Sequence, residues 1–253
     1  MLYKRLYQFF IVYLLGLSGL FLFKYALDLS DYVIPSPADV LETARSYFFG
    51  FLLAVLNTLS VAIIGHIISI ILAALVAVFA TLTNWIGSFI KTGAYNIQAY
   101  PIVAVAPIIF ILFGDGMTSR LLITVMICYF PILLSFIGIF SEPIENIEHF
   151  YAVTGRLTFR FQFKIRIFEN ISKLVTVISG SATVAMVGTI VAEFIAADAG
   201  IGYRIRIALY QSNLSKILTA LFLIGICTSL YLLLLEYGGL VIKRKWLATT
   251  EDA

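Results

Sequence analysis

Two cysteines and two histidines in 253 residues leave almost nothing from which to build a metal centre or a disulfide framework. Cys128 and Cys227 both lie inside apolar runs, where they read as small hydrophobic side chains. His66 is also in an apolar run, and His149 sits in a polar segment far from any second ligand. Charge is scarce too: 12% of residues are Asp, Glu, Lys or Arg, about half the share of an ordinary soluble domain. The dipeptide Gly-Lys does not occur, so ATP cannot be bound through a P-loop. HExxH, G-x-S-x-G and CxxC are missing as well, which removes the usual hydrolase and redox arrangements. No cofactor, metal or nucleic-acid partner is expected.

What is present is apolar. The hydrophobic set makes up 61% of the chain and the mean hydropathy is +1.02. At about 20 residues per helical span, such a chain supplies roughly five or six membrane crossings. We read an all-α polytopic membrane protein, one domain over residues 1–253, with spans at residues 6–27, 57–80, 85–113, 117–140, 174–197 and 218–242. The first run follows Lys4-Arg5, and no small-residue cleavage site succeeds it, so it is read as a retained helix. Ile34-Pro35-Ser36-Pro37 forbids a straight helix through that segment, and Ala38 to Phe49 suits a short surface helix. Gly114-Asp115-Gly116 and Gly200-Ile201-Gly202 read as turns.

Counting Lys and Arg by loop with the N-terminus inside places eleven on the inner side and six on the outer. That bias predicts a multi-pass protein of the bacterial plasma membrane with both termini cytoplasmic. Residues 141–173 then form a basic inner segment. Ser141-Glu142-Pro143 looks like a helix start, Gly155 fits the stop, and a second helix follows. Arg156, Arg160 and Lys164 lie on one stripe of it, beside Leu157, Phe161, Ile165 and Phe168. Such a helix either lies on anionic membrane lipid or docks in a groove of another protein.

Few ionisable residues fall within spans. Glu193 lies near the outer end of its helix, where Arg204 or Arg206 is the expected partner, and Glu236 is within two turns of Lys243. Pro101 and Pro107 each remove a donor and free a carbonyl, at Ile97 and Val103. They either shape a path or kink a helix for packing.

The inner segment resembles the coupling signature of binding-protein-dependent ABC importer permeases, E-A-A-x-x-x-G-x(9)-I-x-L-P. Gly155 and Ile165 keep the spacing and Ile167 takes the leucine position. His149, Phe150-Tyr151 and Phe168 replace the glutamate, the alanine pair and the proline, while Glu148 and Ala152 are one position off. Four further stretches are similar to the nitrate/sulfonate/taurine branch of these permeases. They are Ile34-Pro35-Ser36-Pro37, the run from Tyr100 to Ile108 leading to Phe113-Gly114-Asp115-Gly116, Phe130-Pro131-Ile132-Leu133, and Val191-Ala192-Glu193-Phe194 with Gly200-Ile201-Gly202-Tyr203.

The resemblance implies a type I ABC importer permease with a cytoplasmic coupling helix between spans four and five. Glu148, Ala152, Gly155, Arg156, Arg160, Lys164, Ile165 and Ile167 would meet a dimer of ATPase subunits. Pro101, Pro107 and Glu193 would lie on the translocation path. A second copy of the chain would complete a homodimer, and an extracytoplasmic binding protein would deliver a small polar solute. The competing readings are an ion-coupled secondary transporter, for which midplane charges and an inverted repeat are wanting, and a non-transporting membrane scaffold.

Overall fold

The computed structural model describes residues 2–142, 153 and 159–251. In chain order its helices are α1 (Leu2–Ala26), α2 (Pro37–Ala80), α3 (Asn84–Ala99), α4 (Ile102–Phe113), α5 (Met117–Ser141), α6 (Phe159–Glu169), α7 (Ile171–Ile195), α8 (Ile201–Tyr210) and α9 (Leu214–Glu251). Five of them (α1, α2, α5, α7 and α9) are long and apolar enough to cross a membrane, and α3 with α4 makes a sixth candidate bent by 85°. Helices satisfy every backbone group within one segment, which is why an apolar chain of this kind is built from them.

The centre of the molecule is α2 packed on α5 and α7, with α9 closing the bundle. Small side chains bring these helices close: Ala73, Ala77 and Ala185 are fully buried against Cys128, Ile132 and Ile137. Gly65 is one point of contact, since a Cβ there would stand 2.7 Å from Thr124 Cγ2. The helix α1 sits outside this bundle and rests on α9 through Phe9, Tyr13 and Phe222. At one end of α7 lies α6, and at the other α8.

Two expectations about spans are corrected. The surface helix over residues 38–49 and the span over 57–80 are one helix of 44 residues. Ser36 and Asp39 close a capping box ahead of Pro37, and no breaker follows until Thr81, so nothing stops the helix in between. At 1.5 Å per residue it is about 66 Å long, well beyond the hydrocarbon thickness. The span expected over residues 85–113 is instead two helices. Tyr100, held extended at ψ 132° by the following Pro101, makes the corner between them. The Ile97 carbonyl is not left free there, because Tyr100 N–H donates to it at 3.1 Å.

Candidate functional site

The strongest polar feature of the bundle is built around Glu193, in the last turns of α7, which is fully buried. The chain leaves α7, turns at Gly200 with φ +92°, and re-enters as α8 with its amide groups aimed back at the carboxylate. Gly202 N–H donates to Glu193 Oε2 at 3.0 Å, the favourable placement of an anion at a helix N-terminus. Thr58 of α2 donates its hydroxyl to the same oxygen at 2.7 Å and accepts from Ile201 N–H at 2.8 Å. Arg120 of α5 pairs with Glu193 Oε1 and also donates to Asn57 Oδ1 at 2.6 Å. Only glycine fits at the turn, since a Cβ on Gly200 would stand 2.1 Å from Glu193 Cδ. Four helices (α2, α5, α7 and α8) therefore meet on one carboxylate.

The partner expected for Glu193 is corrected by this geometry. Arg206 instead donates to the carbonyls of Ile195 at 2.8 Å and Ala197 at 2.7 Å, closing the C-terminal end of α7. The ion pair goes to Arg120, which counts as a loop charge in the sequence but lies in the first turns of α5 with its side chain 5% exposed. The signal was a single cation in an otherwise apolar helix, matching a single anion in another. Arg120 Nε is buried with no hydrogen-bond partner among the described residues, so the cluster is not fully satisfied.

A second buried polar group ties α2, α7 and α9 together. His66 is fully buried, 2.7 Å from Tyr231 Oη through Nδ1 and 2.8 Å from Ser181 Oγ through Nε2. Sequence reasoning placed His66 among apolar residues but could not find two partners more than a hundred residues away.

Pro101 and Pro107 do not join Glu193. Pro101 caps α4 and Pro107 lies within it, both exposed, while Ala106, Ile109 and Phe110 turn inward against Ala192.

Of the expected coupling residues, Glu148, Ala152, Gly155 and Arg156 lie outside the described residues, as does the side chain of Arg160. The helix α6 carries the rest. Phe163 and Ile167 pack against the core, with the Phe163 and Phe140 rings 5.1 Å apart. Arg166 donates to the Phe140 carbonyl at 2.8 Å. Lys164 is exposed and Ile165 is half-buried. The chain's α5 ends at Ser141 with Glu142 as its cap, and Glu142 meets Lys173 at 2.6 Å across the root of this segment.

The described residues form a helical bundle with five helices, or six candidates with the bent pair, long and apolar enough to cross a membrane. Buried polar locks hold it together, which defines the class as a polytopic helical membrane protein. The chain belongs to the family of binding-protein-dependent transport system inner membrane components, whose model matches residues 68–246. It is similar to the formylaminopyrimidine transport permease protein ThiX of Halalkalibacterium halodurans, 24% identical over 200 residues that cover 77% of this chain and 78% of the relative. It is also similar to the riboflavin transport system permease protein RibX of Chloroflexus aurantiacus, 37% identical over 141 residues, 54% of this chain and 51% of the relative. A probable ABC transporter permease protein of Haemophilus influenzae is 24% identical over 174 residues, 68% and 70% of the two chains. The protein is thus the permease subunit of an ABC importer, a multi-pass membrane component that works with an ATPase and a binding protein. Family membership sets aside the ion-coupled carrier and the scaffold. None of these three relatives is named for nitrate, sulfonate or taurine.

Proposed function

We propose that this permease imports a small nitrogen-heterocyclic nutrient, as a homodimer with both termini and residues 141–173 in the cytoplasm. The substrate class is favoured by the two relatives named for a formylaminopyrimidine and for riboflavin. The second copy would cover the exposed apolar face of α3 and α4, which carries Trp85, Phe89, Ile111 and Leu112. The coupling role rests on α6. Its apolar side is spent on the core through Phe163 and Ile167, which leaves Lys164 and the polar side for a partner rather than for lipid. A rigid element seated on α5 and α7 would pass movement of an ATPase directly to the helices that hold the Arg120–Glu193 pair.

Uptake by cells carrying the permease with its ATPase and binding protein tests the substrate. Riboflavin or a formylaminopyrimidine is expected to be taken up in an ATP-dependent manner, and nitrate and taurine are not. Gly155→Val tests the coupling. It should insert in the membrane yet lose most ATPase association or transport. Normal copurification with the ATPase and wild-type uptake in that variant would remove residues 141–173 from the coupling role.

A further inference from the structure

The helix α8 stands at the end of α7 opposite α6, and its residues divide between two sides. Ile201, Gly202 and Ala208 are buried against the bundle. Tyr203, Ile207 and Tyr210, spaced i, i+4 and i+7, fall on the other side, with Tyr210 81% exposed. The two arginines beside them differ. Arg206 lies with its guanidinium 5.4 Å over the Tyr203 ring and is spent on the carbonyls of Ile195 and Ala197. Arg204 is exposed and makes no hydrogen bond or ion pair among the described residues. Tyrosine and arginine are the side chains in which the energy of protein–protein contacts concentrates. The helix is also fastened where a load would matter. Ile201 N–H donates to Thr58 of α2, Gly202 N–H donates to Glu193 of α7, and Glu193 pairs with Arg120 of α5. A partner seated on α8 therefore bears on α2, α5 and α7 together. The loop of residues 27–36 is tied instead to the peripheral α1, through the Lys24–Asp31 pair.

We infer that the outer stripe of α8 receives the binding protein, and that it fits a face setting a carboxylate against Arg204 and an apolar recess against Tyr210. Charge guides the encounter, since an exposed cation draws an acidic face and turns away a basic one. Tyr210 supplies a large apolar ring with a polar tip, suited to the centre of a contact. A lipid surface is the weaker occupant. A helix lying on anionic lipid is rich in basic residues, whereas α8 has only Arg204 to offer once Arg206 has capped α7. The inference rests on the reading that residues 141–173 meet the ATPase, because the binding protein then reaches the chain from the end that carries α8.

The test places the permease with its ATPase in nanodiscs and titrates purified binding protein onto it. Arg204→Glu and Tyr210→Ala should each raise the half-saturating concentration at least ten-fold. Arg204→Glu alters only an exposed side chain, so it reports even where Tyr210→Ala folds poorly, and copurification with the ATPase checks assembly of both. Arg45→Glu, which reverses an exposed cation near the start of α2, should leave the titration unchanged. Unchanged binding in both α8 variants overturns the inference. Equal weakening by Arg45→Glu also overturns it, since net charge and not the stripe would then be the cause. A spin label on Tyr210→Cys separates the other occupants, the native Cys128 and Cys227 being buried. It should lose contact with a water-soluble relaxing agent when the binding protein is added. Contact with lipid-dissolved oxygen instead gives the stripe to lipid, and shielding before any binding protein is added gives it to a second copy. Either result overturns the inference. Wild-type coupling in Gly155→Val removes the ATPase reading instead, and the titration then decides the role of α8 on its own.

Discussion

Glu193 shows how one buried charge can organise several helices. It accepts from Thr58 and Gly202 N–H and pairs with Arg120, and neither member of the pair reaches solvent to any extent. Buried pairs add little net stability compared with apolar packing, but removing one member strands the other. Glu193→Gln should therefore cost roughly 3–5 kcal/mol, read as a lower unfolding midpoint of the purified importer. Arg120→Gln alone should also destabilise. The double variant should lose less than the two single losses added, by about 1–3 kcal/mol of coupling. Strict additivity would mean that the two side chains are neighbours without being partners.

At the scale of elements, the corner between α3 and α4 separates the two prolines. Pro101 holds Tyr100 out of helical conformation, whereas Pro107 is an exposed residue within α4. Pro101→Ala lifts that restriction and lets the two helices approach a single straight one. Its uptake should fall several-fold while the ATPase still copurifies. Pro107→Ala should change uptake much less, since its neighbours and not its own ring face the core. Wild-type uptake with Pro101→Ala would leave the corner a matter of packing alone.

For the molecule as a whole, the testable quantity is orientation. The excess of Lys and Arg on one side predicts that the loops around Ser30 and Ser212 face outward. Cysteines at these two exposed positions should react with an impermeant maleimide in intact cells. Reaction only after permeabilisation would reverse the topology. Ser36 is the poorer reporter, because its hydroxyl caps α2. The family match starts at residue 68, inside α2, so α1 and the first part of α2 lie outside it. Among the described residues α1 is held chiefly by α9, through a small aromatic cluster and the Tyr13 hydrogen bond to Leu218 O at 3.0 Å.

Composition and periodicity were enough to establish that this chain is a helical membrane bundle, because an apolar run of span length has few other folded forms. The absent P-loop and the spacing around Gly155 pointed to a transport subunit driven by another protein, since both are local patterns of residues. The partner of Glu193 was another matter. The nearby Arg204 and Arg206 looked available, yet the bundle brings Arg120 in from 73 positions away and uses Arg206 as a helix cap. His66, Tyr231 and Ser181 likewise meet only because α2, α9 and α7 pack together. The 85° corner at Pro101 and the unbroken α2 also escaped a reading by run length, which records where apolar residues are but not how a helix bends or continues. Local chemistry and hydropathy act along the chain and are legible there. The pairing of buried polar groups depends on which helix faces lie together, and only the tertiary packing decides that.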